Sequence, residues 1–245
     1  MTTLFISDLH LDAARPRITQ LFLQFLQTEA RRAQALYILG DFFEAWIGDD
    51  DPDPHHAEVI AAVAALTATD VPVYFIHGNR DFLIGPGFIA KTGCTLLADP
   101  TRVELYGTPT LIMHGDILCT DDLQYQTFRR QVRDPTWQKE FLAKPLTERR
   151  AIAKQARAHS QIQTASKPDY LMDVNQREVE RVMLEHQVTR LIHGHTHRPA
   201  VHRFSTRGRD LTRIVLGDWY TQSSVLRAEP GTLRLQDTRC PTTTV

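Results

Sequence analysis

The chain has 245 residues, with 28 Lys plus Arg against 29 Asp plus Glu and a net charge of −1. Hydrophobic residues make up 42% of it, enough for a core, and the near-neutral balance excludes a globally basic nucleic-acid binder. No apolar run reaches the roughly 18 residues that cross a bilayer, no basic leader precedes the first strand, and three cysteines without C-x-x-C spacing argue against disulfides or a zinc ribbon.

Residues 3–7 read as a buried strand that breaks off into Asp8-Leu-His10. Ile18, Leu21, Phe22, Phe25 and Leu26 form one apolar stripe and predict a helix; residues 35–40 predict a strand ending at Gly40-Asp41. A second strand-helix-strand unit follows, with a helix from His55 to Thr67 and a strand over 71–77 that ends in Gly78-Asn79-Arg80-Asp81. Beyond about Thr95 the strands shorten, at 111–114, 191–193, 213–216 and 224–227, with Gly-Thr-Pro or Arg-Gly turns between them. This rhythm predicts an α/β protein with two sheets covered on their outer faces by helices.

Residues 121–167 interrupt the pattern, with no glycine and ten Lys or Arg against five Asp or Glu. Tyr125, Phe128 and Val132, then Trp137 and Phe141, fall at helical spacing, and Thr147 is expected to cap a further helix with Glu148 in its first turn. The segment reads as a cationic helical insertion. Its apolar residues, Ile152 among them, fit either a small core of its own or a groove for acyl chains.

Five apolar runs thus end in metal-type side chains: Asp8 and His10, Asp41, Asn79, His114, and His195 with His197. Singly each has an ordinary structural reading, because Gly-Asp is a common turn and a lone buried His is commonly a core residue. Together they describe strands whose C-terminal ends feed one crevice, and seven such ligands suffice for two metal ions.

The ordered set Asp-x-His, Gly-Asp, Gly-Asn-Arg-Asp, His-Gly-Asp and Gly-His-Thr-His resembles the calcineurin-like metallophosphoesterase superfamily. The longer stretches Phe42–Asp49, His77–Gly85, His114–Asp122, Tyr125–Arg129, His193–Pro199 and Val215–Trp219 resemble, within it, the UDP-2,3-diacylglucosamine pyrophosphatase family of bacterial lipid A synthesis. That resemblance implies a four-layer α/β/β/α sandwich, with residues 1–120 and 168–245 as core and 121–167 as a helical lid. It implies two Mn²⁺ ions, one held by Asp8, His10 and His197, the other by Asn79, His114 and His195, with Asp41 bridging. Mixed carboxylate and imidazole ligands suit Mn²⁺ without excluding Fe or Zn. The implied reaction is water attack on the α phosphorus of UDP-2,3-diacylglucosamine, giving UMP and 2,3-diacylglucosamine 1-phosphate (lipid X).

The same resemblance assigns catalysis to Asn79, Arg80 and His195 and substrate contacts to these together with Asp122, Ser160, Thr164 and Lys167. The last three sit at i, i+4 and i+7, one face of a helix, which is also the pattern of an ordinary solvated face. Many members of the superfamily carry His where this chain has Arg80. Arginine cannot surrender a proton but can hold a phosphate with two hydrogen bonds, which suits a sugar-phosphate leaving group that needs no protonation. An excess of basic residues on the lid adds attraction to anionic lipid. The expectation is a peripheral enzyme on the cytoplasmic face of the bacterial inner membrane, a monomer needing no protein partner and no nucleic acid. Two alternatives are a same-fold phosphoesterase for another substrate and a metal-free scaffold with broken ligands.

Overall fold

In a computed structural model, backbone is described for residues 2–237 and 240–244, and side chains for these except 159, 161–166, 169, 170 and 240–244. In chain order the elements are β1 (Thr3–Ile6), α1 (Pro16–Thr28), β2 (Ala35–Leu39), α2 (Pro54–Thr67), β3 (Val73–Ile76), α3 (Pro86–Thr92), β4 (Thr95–Leu96), β5 (Thr101–Leu105) and β6 (Thr108–Ile112). Then come α4 (Leu123–Val132), α5 (Pro135–Leu142), α6 (Leu146–Ser166), α7 (Gln176–Glu185), β7 (Arg190–His193), β8 (Ala200–Thr206), β9 (Arg209–Val215), β10 (Ser224–Glu229), β11 (Thr232–Asp237) and β12 (Cys240–Thr244).

Two sheets form, ordered β12-β11-β10-β1-β2-β3-β4 and β5-β6-β7-β9-β8. β1, β2 and β3 are parallel neighbours, as are β6, β7 and β9, so every ligand-bearing strand delivers its C-terminal end to the same side of its sheet. The two sheets meet through a layer that joins Phe5, Leu39 and Ile76 of the first to Ile112, Ile192 and Ile214 of the second. Outside the first sheet, α1 and α2 bury Phe22, Phe25, Val59 and Val63 against Leu36, Ile38 and Phe75; outside the second, α7 buries Val179, Val182 and Met183 against Leu111 and Leu191. Burial on both faces explains why β1 is apolar throughout rather than alternating.

The insertion over 121–167 is helical. α6 begins at Leu146, directly after Pro145, so Thr147 lies inside the first turn and is not its cap. The carbonyl of Pro145 accepts from the amides of both Glu148 and Arg149, which ties off the helix start without a side-chain cap. Phe141 is buried in the main core cluster with Trp137, Leu146 and Ile152 packed beside it, and Trp137 stacks on Phe141 with ring centres 5.0 Å apart. These apolar residues therefore dock the insertion on the core instead of making a separate core of their own. Arg149, 2% exposed, donates to Ile47 O, Lys144 O and the Asp50 carboxylate. Arg150 pairs with Asp51, and Arg157 with Glu44 and Asp12. Much of the insertion's positive charge is thus neutralised by core carboxylates.

Candidate metal centre

β1, β2 and β6 each stop two residues short of their ligands Asp8, Asp41 and His114; β7 stops two short of His195, and β3 three short of Asn79. Beyond each end the backbone turns sharply. Nine described non-glycine residues have positive φ, and five of them are Asp8 (55°), His10 (49°), Asp41 (50°), His195 (67°) and His197 (55°). A left-handed conformation costs an L-residue energy and persists where surrounding packing enforces it, commonly at functional sites. Asp8 and His10 therefore converge through turns, not by sharing the face of a continuing strand.

Packing between the turns is tight. Gly40 has φ of 84° and lies so close to Gly78 that a Cβ would stand 2.5 Å from its backbone. At Gly194 a Cβ would collide with the Asp8 carboxylate. Both positions need glycine because ligand-bearing loops cross there.

Two groups of donor atoms result. Asp8, His10 and His197 offer ligand atoms within 4.8 Å of one another, as do Asp8, Asp41 and His114. His10 Nε2 faces His197 Nε2 at 3.2 Å, and Asp8 Oδ1 lies 3.4 Å from His197 Nε2. Across the site, Asn79 Oδ1 is 3.0 Å from both His114 Nε2 and His195 Nδ1. The Asp41 carboxylate stands between, Oδ2 at 3.7 Å from His10 Nε2 and Oδ1 at 3.7 Å from His114 Nε2. All seven residues expected from the sequence come together, His10 and His197 at one end and Asn79, His114 and His195 at the other, with Asp8 in both donor groups and Asp41 between the histidines.

The donor set fits divalent cations. Asp8 Oδ1 is buried with no well-formed hydrogen bond, although burying such an acceptor unpaired is costly. Two imidazole nitrogens 3.2 Å apart, ringed by carboxylate oxygens, are better matched to a shared cation than to one proton. Neighbouring groups fix the rings. His114 Nδ1 donates to Leu39 O at 2.9 Å, leaving Nε2 to face the centre. His10 Nδ1 is 3.7 Å from Glu44, and His197 Nδ1 is 3.6 Å from Asp218.

Electrostatics separates the ligands. Burial raises the Asp41 carboxyl to about 7, with the charge of His114 pulling the other way. Burial also disfavours the charged Asp8, but His197, His114 and His10 outweigh it and hold that carboxyl well below the usual range. Burial pushes His195 down to about 3, with the charge of His114 adding to the effect. His114 itself is lifted to about 9, because Asp41, Asp8 and Asp116 overcome its burial. A cation in this crevice would offset the burial that disfavours the charged forms of Asp8 and Asp41.

The other expected site residues divide. Arg80 donates its amide to Asp41 Oδ1 at 2.8 Å and keeps a buried Nε without a partner, and its charge acts on His10 and Asp41. Asp122 caps α4 by accepting from Tyr125 N at 3.1 Å, and its other oxygen accepts from Lys167 Nζ at 2.5 Å. The structure thus pairs Asp122 and Lys167 with each other. Ser160 lies partly buried on α6, and the side chain of Thr164 is outside the described residues.

Sequence reasoning assigned no role to the carboxylates behind the ligands. Asp81 accepts from Phe42 N and Gly78 N, each at 2.7 Å, and so ties the β2 turn to the β3 turn. Asp116 accepts from Tyr125 OH and Arg129 Nε, each at 2.8 Å, while the Tyr125 ring lies 5.7 Å from that of His195. Arg133 donates to Gly78 O at 2.8 Å. Helix α4 is therefore wired to the turns that carry Asn79, His114 and His195. The only sequence signal was that Asp81 and Asp116 adjoin ligands.

Residues 1–199 match the family model described as calcineurin-like phosphoesterase. A protein of Xanthomonas oryzae pv. oryzae (strain PXO99A) named UDP-2,3-diacylglucosamine hydrolase is 54% identical over 243 residues, covering 96% of this chain and 98% of its own. Proteins of that name from Xanthomonas axonopodis pv. citri (strain 306) and Stenotrophomonas maltophilia (strain K279a) are 55% and 53% identical, each covering 94% of this chain and 96% of its own.

Proposed function

The chain belongs to the calcineurin-like phosphoesterase family, and from that premise we propose that it is a metal-dependent hydrolase of UDP-2,3-diacylglucosamine, releasing UMP and 2,3-diacylglucosamine 1-phosphate in lipid A synthesis. The observation that carries the substrate reading is the 54% identity over nearly the full length, insertion included, to a protein named for that hydrolysis. The dinuclear reading is supported by Asp41, whose two oxygens face different histidine sets.

Asp8, His10 and His197 would hold one divalent cation, Asn79, His114 and His195 the other, and Asp41 both; Mn²⁺ is the assignment, two per chain. Bound there, such cations lower the pKa of water, orient a phosphoryl group and neutralise charge on the entering and leaving oxygens. The chain's own residues do the rest. Arg80, held by its amide on Asp41, presents a permanent charge to the diphosphate and supplies no proton to the leaving group. Asn79 and His195 sit 3.0 Å apart at the edge of the same set, able to contact a phosphate oxygen as well as a cation. Asp122, Ser160, Thr164 and Lys167 remain the proposed contacts to the remainder of the substrate. The Lys167–Asp122 pair would have to open or share its hydrogen bonds for that role.

Peripheral binding at the inner membrane's cytoplasmic face follows from a substrate that resides in lipid. No helix among the described residues is long and apolar enough to cross a membrane. Because Arg149, Arg150 and Arg157 are paired with core carboxylates, the exposed Arg130, Lys139 and Lys154 are, among the described residues, the insertion cations proposed to meet anionic lipid. Incubating the purified chain with UDP-2,3-diacylglucosamine, with and without Mn²⁺, tests the reading. Metal-dependent appearance of UMP and the sugar 1-phosphate in equal amounts is expected. Release of UDP, or of inorganic phosphate alone, would overturn it.

A further inference from the structure

Beside the metal-type cluster, and sharing His197 with it, a cavity of about 390 Å³ opens between the β7–β8 turn and strands β8 and β9. Its size is within the range of small-ligand sites, roughly 300 to 1,000 Å³. One wall is apolar, made by Pro199, Ala200 and Val215; the other carries Asp173, Arg198 and Arg213.

The polar wall is built. Arg213 is 6% exposed, and its Nη1 donates to His193 Nε2 at 3.3 Å, the ring being turned so that Nδ1 donates to Gly194 O at 2.9 Å. Its Nε remains buried without a partner, and so does Thr196 Oγ1 on the same cavity. Both residues line the cavity, and because leaving buried polar groups unmet costs free energy, a polar ligand drawn in beside them would be favoured. Asp173 Oδ2 accepts from Arg198 Nη1 at 3.1 Å, so a carboxylate acceptor stands among guanidinium donors.

We propose that this cavity is the subsite for the uracil base of the substrate's nucleotide half, an inference that rests on the diphosphate reading above. The base's edge presents carbonyl acceptors on either side of one N–H donor, which complements an acceptor among donors, and its flat face suits the wall of Pro199, Ala200 and Val215. Cytosine replaces one of those acceptors with an amino donor and would set it against a guanidinium. A free phosphate matches less fully, because it has chiefly acceptors and would leave the Asp173 carboxylate facing another acceptor. Sharing His197 places the base on one flank of the metal-type cluster, leaving the side beneath α4 and α6 for the acylated sugar.

Binding of UMP and CMP to the Mn²⁺-loaded protein, followed by calorimetry, tests this without any turnover. UMP is expected to bind at least about tenfold more tightly than CMP, since a site that hydrogen-bonds an edge rejects the analogue with the wrong pattern. Ala200→Trp, at a partly exposed position on edge strand β8, fills the cavity. It should abolish the preference while leaving metal content and melting temperature unchanged; Arg213→Lys, keeping charge but losing Nε, should reduce it. A preference retained in Ala200→Trp, or absent from the wild-type chain, overturns the subsite. The base preference is decided by binding alone, so failure to hydrolyse UDP-2,3-diacylglucosamine would instead sink the diphosphate reading.

Discussion

Arg149→Ala should loosen the insertion from the core by an amount that can be worked from its contacts. The side chain is 2% exposed and donates to a fully buried carbonyl, Ile47 O, at 2.6 Å and to a partly buried one, Lys144 O, at 3.0 Å. Stranding a buried acceptor costs about 1–3 kcal/mol, and the second adds a fraction of that. The Asp50 side chain is 64% exposed, so its share of the ion pair is worth only ~0–1 kcal/mol. The total is about 1–5 kcal/mol, or roughly 2–20 °C in melting temperature at about 2–4 °C per kcal/mol for a chain of this size. Asp50→Asn, which keeps an acceptor, should cost under about 1 kcal/mol. The pH dependence has a definite sign. Arg149 lowers the Asp50 carboxyl below its usual 3.8, so the pair's contribution is full above that pH and is lost as pH falls through the lower folded value. Thermal denaturation of both variants, from pH 8 down to pH 3, measures this. Equal losses in Arg149→Ala and Asp50→Asn would refute the argument that the buried carbonyls dominate.

Three further outcomes are expected. Asp41→Asn should weaken binding of at least one cation about 100-fold or more, read as metal per chain after dialysis, and two tightly held ions would contradict a bridging role. Arg80→His should lower diphosphate turnover about 100-fold with metal content unchanged; a parallel loss of metal would mean the residue acts on the centre itself. Cys94 and Cys119 are buried, and burial pushes their thiols up to about 11 and about 12. Their peptides should escape alkylation at pH 8 in the native state and react on unfolding; fast native labelling of either would count against the packing described.

The ligand-bearing ends of β1, β2, β3, β6 and β7 were readable because a strand buried on both faces is a continuous apolar run, and its abrupt end in Asp, Asn or His stands out. The left-handed backbone of Asp8, His10, Asp41, His195 and His197 left only a faint trace, the adjoining glycines. Helix α3 was invisible because its first turn is held from a distance, Asp49 accepting from Gly85 N at 3.0 Å and Gly87 N at 2.7 Å. Strands β5 and β8 escaped notice because they are edges whose side chains, Leu105 apart, are exposed or only partly buried, so neither carries a fully apolar run. Thr147 was misplaced as a cap because Pro145, which cannot donate, already ends the preceding turn. The roles of Asp81, Asp116 and Asp218 rest on partners in other elements, Phe42, Arg129 and His197, and beyond their closeness to ligands no local pattern reports them.

The central claim, water attack on the phosphorus next to uridine, is tested most directly by hydrolysing UDP-2,3-diacylglucosamine in ¹⁸O-enriched water and weighing both products. One heavy oxygen in UMP and none in the sugar 1-phosphate is the predicted result. The label in 2,3-diacylglucosamine 1-phosphate would contradict it.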